Sequence, residues 1–210
     1  MCGVIGYWPK ESHPEQTTAF RRLWVESNIR GLHAFGLYQV GFLTRTFDWE
    51  DVSAAFDPEE PAIAHARYST SGDWHDLNNA QPIVTNHFAL AMNGVISMGT
   101  KEEYEAEFGV QCVADNDAEV FLRRLEAGAD PEQFLHSLSG SFAGVWLSDF
   151  NTQERRYMEE MKLNAGRNAR RPLWKHEQYG AVWYASTRDI FLRAGFGDPT
   201  EVGVGVETVG

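Results

Sequence analysis

The sequence predicts an α+β fold, on three observations. Short apolar segments rich in β-branched and aromatic residues come in runs, and helix-patterned segments are grouped between them instead of alternating one for one, which argues against a βαβ chain. The chain has 210 residues, 43% of them hydrophobic and 23% charged, enough to enclose a sizeable core without disulfide staples. No repeat, low-complexity tract or interdomain linker interrupts it, so residues 1–210 are expected to form a single domain.

Each element has its own signal. Residues 2–8, Cys-Gly-Val-Ile-Gly-Tyr-Trp, read as a buried strand ending at Pro9. Residues 14–30 read as a helix, with Phe20, Leu23, Trp24 and Ser27 at helical spacing and Gly31 as a stop. Residues 34–44 alternate loosely as one strand, and 61–68 and 87–92 are two more. Between those two, residues 69–82 are rich in Ser, Gly, Asp and Asn and predict a long loop, of the kind that often carries function. Helices are expected at 100–108, 117–127 and 130–138, the last with Pro131 in its first turn. Residues 142–147 and 181–185 read as core strands, 188–194 as a short helix and 202–206 as a last strand. The polar, basic stretch 153–172 reads as a surface excursion, and its Arg167–Arg171 patch as a solvated loop or a docking element.

Charge and cysteine content narrow the classes of function. Eighteen Lys and Arg against thirty Asp and Glu give a formal charge of −12, which makes nucleic acid and anionic membrane poor partners. The longest apolar runs fall far short of a membrane span, and no basic segment precedes an apolar one at the start, so a secretory signal is not expected. Only Cys2 and Cys112 are present, which excludes a disulfide framework and points to a reducing, cytoplasmic setting.

Four places could carry chemistry. Cys2 follows Met1 directly. Removal of Met1 would give it a free α-amine with a reference pKa of about 7.7–8.0, beside a thiol at about 8.5, so one residue could be both nucleophile and base. It also fits a small apolar residue opening a buried strand. Arg67, at a strand end, offers a planar fork for a carboxylate, or an ordinary ion pair with a nearby acid. Asn93-Gly94 spells a tight hairpin turn, or two donors for an oxyanion. Asp117 opens a helix as an N-cap or first-turn acid, or serves as a binding carboxylate. Histidine and cysteine spacings give no metal motif, and neither metal nor organic cofactor is expected.

Taken in order, these pieces resemble class II glutamine amidotransferases, the N-terminal-nucleophile glutaminase domains of amidophosphoribosyltransferase, glucosamine-6-phosphate synthase and their kin. The matching segments are Met1-Cys2-Gly-Val-Ile-Gly6, Arg30-Gly31-Leu-His-Ala-Phe-Gly36, His65-Ala-Arg67-Tyr-Ser-Thr70, Asn79-Ala-Gln-Pro82, Asn93-Gly94 and Asp117-Ala-Glu-Val120. Gaps of 65, 26 and 24 residues separate Cys2, Arg67, Asn93 and Asp117, similar to the family's intervals. The resemblance implies a four-layer αββα sandwich. It implies that Cys2 attacks the side-chain amide of L-glutamine, that Asn93 and the Gly94 N–H hold the oxyanion, and that Arg67 and Asp117 read the α-carboxylate and α-ammonium. Arg30, Gly31 and Thr70 would shape the pocket. It also implies an ammonia acceptor on a separate synthetase or transferase. A free-standing N-terminal-nucleophile amidase for another amide and a non-catalytic glutamine-binding scaffold are the competing readings; the zwitterion-matched Arg67 and Asp117 argue against the first, and intact Cys2, Asn93 and Gly94 against the second. Met92 before Asn-Gly, Ser97-Met98 after it and His33-Ala34 after Arg-Gly depart from the common family pattern.

Overall fold

A computed structural model describes residues 1–70, 72–151 and 156–210. Twelve strands form two antiparallel sheets among these residues. The seven-stranded sheet has the order β11-β9-β10-β1-β4-β2-β3, built from β1 (Gly3–Pro9), β2 (Ala34–Gln39), β3 (Phe42–Thr46), β4 (Ala62–Arg67), β9 (Trp174–Gln178), β10 (Ala181–Ala185) and β11 (Thr200–Glu201). The five-stranded sheet has the order β12-β8-β7-β6-β5, from β5 (Ile83–Val84), β6 (Phe88–Val95), β7 (Ser141–Asn151), β8 (Arg156–Arg167) and β12 (Gly205–Val209).

Side-chain alternation along the strands generates the layers. Val4, Val182 and Tyr184 of one sheet meet Ala89, Ala91, Ala143, Val145 and Leu163 of the other in a middle core whose small residues let the sheets pack closely. The opposite faces carry Ile5, Tyr7 and Trp183 toward α1 (Gln16–Asn28), α2 (Trp49–Ala55) and α6 (Arg188–Arg193). Leu90, Met92, Phe142 and Trp146 face α3 (Lys101–Phe108), α4 (Ala118–Glu126) and α5 (Pro131–Ser137). The result is the four-layer αββα sandwich.

Several boundaries differ from expectation. The single strand at 34–44 is a hairpin, β2 and β3, turning at Val40 and Gly41. A helix, α2, follows it, with the Asp48 carboxylate accepting the Glu50 N–H. The stretch 153–172 is no surface excursion. Residues 156–167 form β8, paired with both β7 and β12, with Leu163 and Ala165 fully buried; residues 153–155 lie outside the described residues. Arg167 is bound inward, its guanidinium donating to the carbonyls of Val202 and Arg171 and pairing with Glu201 at 3.1 Å. The last strand begins at Gly205, three residues later than expected, and β5, β9 and β11 lack a sequence signal. The loop at 69–82 contains a short 3-10 turn, Leu77–Asn79, and its residue 71 lies outside the described residues.

Candidate active site

Cys2 stands at the entry to β1, where three elements converge on its backbone. Its N–H donates to Asn93 Oδ1 at 3.2 Å. Its carbonyl accepts from Arg30 Nε at 3.0 Å and from the Ser186 hydroxyl at 3.3 Å. Ser186, fully buried just past β10, also takes the Val4 N–H at 2.8 Å, so the first residues of β1 are held from both sides. The thiol rests against Tyr68, whose N–H donates to Sγ at 3.4 Å. Burial pushes the Cys2 thiol up; the Tyr68 N–H and the positive charges of the N-terminus, Arg67 and Arg30 oppose that rise. With Met1 attached, the Cys2 nitrogen is a peptide N–H and no base. Met1 itself is 61% exposed, its sulfur lying 3.7 Å from Arg30 and 3.5 Å from Arg171.

Asn93 and Gly94 are not a turn. Both lie within β6, opposite Ala143 and Phe142 of β7. Asn93 is buried, and its Nδ2 has no hydrogen-bond partner among the described residues, while its Oδ1 faces Cys2. Met92 directs its N–H away from β7, to Gln81 Oε1 at 2.7 Å. Backbone alternation then directs the Gly94 N–H to that same outer edge. A Cβ at Gly94 would collide with the carbonyl of Ser141 on β7, so only glycine allows this close pairing.

Arg67 ends β4 and is buried. Burial lowers its pKa, and Cys2 when ionised, Asp115, Asp117 and Asp73 oppose that fall. Asp117 occupies the N-cap position of α4 but makes no capping bond. Its Oδ2 instead accepts the N–H groups of Ile96 at 2.6 Å and Ser97 at 3.1 Å, fixing the chain as it leaves β6. Thr70 is exposed and lines a cavity of about 360 Å³ with Ser97, Thr100, Lys101 and Asp115, a volume within the range of small-molecule pockets. Of the expected site residues only Thr70 lines this cavity; Cys2, Arg67, Asn93, Gly94, Asp117, Arg30 and Gly31 do not. Arg30 braces the Cys2 carbonyl, and Gly31 lets the end of α1 press on β4, where a Cβ would meet Ala66 O and the carbonyl carbon of Arg67.

Other residues that build the site gave weaker sequence signals. Asn79 Oδ1 accepts the Asp115 N–H at 2.8 Å, and Asn116 Nδ2 donates to the Asn79 carbonyl at 2.8 Å, tying the loop after β4 to the start of α4. Buried Glu119 accepts the N–H groups of Val113 and Ala114 at 2.9 and 2.7 Å and pairs with Arg123 at 2.7 Å. Asn79 and Glu119 lie inside quoted motifs; Ser186 had only its place after a core strand. Among the described residues no group of three or more His, Cys, Asp and Glu is arranged to hold a metal ion, and no helix is long and apolar enough to cross a membrane.

The family model described as glutamine amidotransferase domain matches residues 65–193. The chain belongs to that family. It is a glutamine amidotransferase domain. Among solved structures it is similar to the glutamine phosphoribosylpyrophosphate amidotransferase of B. subtilis in complex with ADP and GMP, at 20% identity and TM-score 0.70, over 99% of this chain and 49% of that one. It is similar also to a structure titled the allosteric regulatory enzyme of purine biosynthesis, at 21% identity and TM-score 0.71, over 99% of this chain and 48% of that one. The amidotransferase therefore spans about half the length of either, and at these identities the likeness carries the fold. No curated protein matches the chain.

Proposed function

We propose that this amidotransferase hydrolyses the side-chain amide of glutamine through a Cys2 thioester and delivers the ammonia to an acceptor held by a separate synthetase or transferase. The observation that carries the reading is the contact between Cys2 and Asn93, whose buried Nδ2 stands ready for a developing oxyanion. Removal of Met1 frees the Cys2 α-amine, which takes the thiol proton as Sγ bonds to the amide carbon. Asn93 Nδ2 and the Gly94 N–H hold the resulting O⁻. The C–N bond breaks, the amine returns the proton to the leaving group, and ammonia departs. Water then attacks the thioester, giving glutamate and the free thiol. Arg67 binds the α-carboxylate and Asp117 the α-ammonium.

Residues 1–210 serve as one glutaminase domain, and a partner is physically useful because ammonia in water at neutral pH is protonated and loses its nucleophilicity. Intact-mass analysis should show loss of Met1, and the glutamine analogue diazo-oxo-norleucine should add at Cys2. Labelling at Cys112 in its place, or full activity in Cys2→Ala, overturns the reading. Turnover should rise when partner and acceptor are added; high turnover that no partner alters removes the transfer step.

A further inference from the structure

The strand that presents the oxyanion donors is held at its outer edge by two side chains. β5 pairs with β6 only as far as Ile83 opposite Leu90. One pleat further on, at Met92, no strand is present among the described residues, and side chains take both backbone groups. Gln81 Oε1 accepts the Met92 N–H at 2.7 Å, and His65 Nε2 lies 3.1 Å from the Met92 carbonyl. A carbonyl only accepts, so His65 carries its proton on Nε2. His65 is fully buried on β4, in the opposite sheet, two residues before Arg67. A single hydrogen bond thus joins the strand of the carboxylate-reading arginine to the strand of the oxyanion donors, and the residue after its acceptor is Asn93.

We propose that His65 and Gln81 are positioning residues that set Asn93 Nδ2 and the Gly94 N–H at oxyanion distance. The inference rests on the oxyanion reading given above. An unpaired strand edge is free to shift, and preorganised donors lose much of their effect over displacements near 1 Å. The donors act chiefly in the transition state, so loosening the clamp lowers kcat and leaves glutamine binding by Arg67 and Asp117 in place.

The test is glutaminase kinetics on the Met1-free enzyme. His65→Leu should lower kcat about ten- to a hundredfold, short of the roughly 10²–10³-fold typical for loss of an oxyanion donor, with KM held within about twofold. His65→Gln, whose side-chain N–H reaches nearly as far as Nε2, should recover much of the loss, and His65→Asn, too short, should not. Should His65→Leu fail to fold, the Gln and Asn pair and Gln81→Leu carry the test. In an Asn93→Ala background, His65→Leu should cost less in kcat than it does in the wild type, leaving only the share carried by the Gly94 N–H. A raised KM with normal kcat, equal behaviour of the Gln and Asn variants, or losses that multiply with Asn93→Ala would overturn the clamp. An unchanged kcat in Asn93→Ala alone would instead overturn the oxyanion reading on which it stands.

Discussion

A thiol pushed up by burial does not stand as a thiolate at neutral pH, so Cys2 needs a base at hand. The α-amine of the same residue supplies one only when nothing precedes it. A form with extra residues before Cys2 should keep the Tyr68 and Arg30 contacts yet lack turnover, and cleaving the extension should restore it. In the cleaved enzyme kcat/KM should rise with pH as the amine loses its proton, around the reference value of about 7.7–8.0, and then level off, because the base acts only when unprotonated. A rate unaffected by the extension would assign the base elsewhere. Arg67 and Asp117 separate by a different measurement. Arg67→Ala should reduce kcat/KM for glutamine by about 2–5 kcal/mol of transition-state binding, mainly through KM. Asp117→Ala should lower Tm as well, because two backbone N–H groups lose their acceptor. The order and residue types of the four candidate positions were legible in the sequence, whereas cap or ligand for Asp117, and turn or strand for Asn93-Gly94, depend on partners distant in the chain.

At the scale of elements, the end of β6 and the whole of β8 were misread, for physical reasons. Asn and Gly are poor strand formers and good turn formers, so 93–94 ended the apparent strand, yet pairing with β7 carries the ladder through them. In β8 the inward set Met161, Leu163 and Ala165 alternates with Lys162, Asn164 and Gly166, and a polar set read alone looks like a surface loop. Asn164 is buried and answered by Ser148 and Thr208, a cross-strand match that no local pattern shows. Helices were easier, since their caps are local: the Asp130 carboxylate accepts the Gln133 N–H at 2.8 Å, and Thr100 and Glu103 form a capping box. The close pairing at Gly94 yields a prediction at this scale. Gly94→Ala should drive its methyl into the Ser141 carbonyl and cost about 1–3 kcal/mol in denaturant unfolding. Activity should fall further than that loss explains, because β6 must shift where it carries the proposed oxyanion donor. Wild-type stability in this variant would show that the two strands can part without strain.

The whole molecule stands on its middle layer, and the sequence could predict α+β but not how two sheets would face each other. Strand partners such as Ile5 and Ala185 lie at opposite ends of the chain, and the sandwich was legible only through resemblance to a family. That layer also contains a titratable group whose effect reaches the whole fold. His65 is fully buried between the sheets, and burial lowers its pKa from 6.5 to about 3, with the nearby Arg67 charge acting in the same direction and the bond to the Met92 carbonyl against it. An unfolded chain would bind a proton at this histidine below about pH 6.5, and the folded one would not until about pH 3. The unfolded state therefore holds more protons throughout that window, so stability is full above it and is lost progressively as pH falls toward 3. The contribution is on the order of 5 kcal/mol for one group, enough to show in a domain of ordinary marginal stability. Unfolding free energy measured by urea from pH 7.5 down to pH 4 should fall for the wild type more steeply than for His65→Gln, which keeps a donor but cannot take up the proton. Carboxylates common to both proteins cancel in that difference. Parallel curves would mean that His65 is reached by water and titrates alike in both states, and the sheets would then be looser at this point than their packing describes.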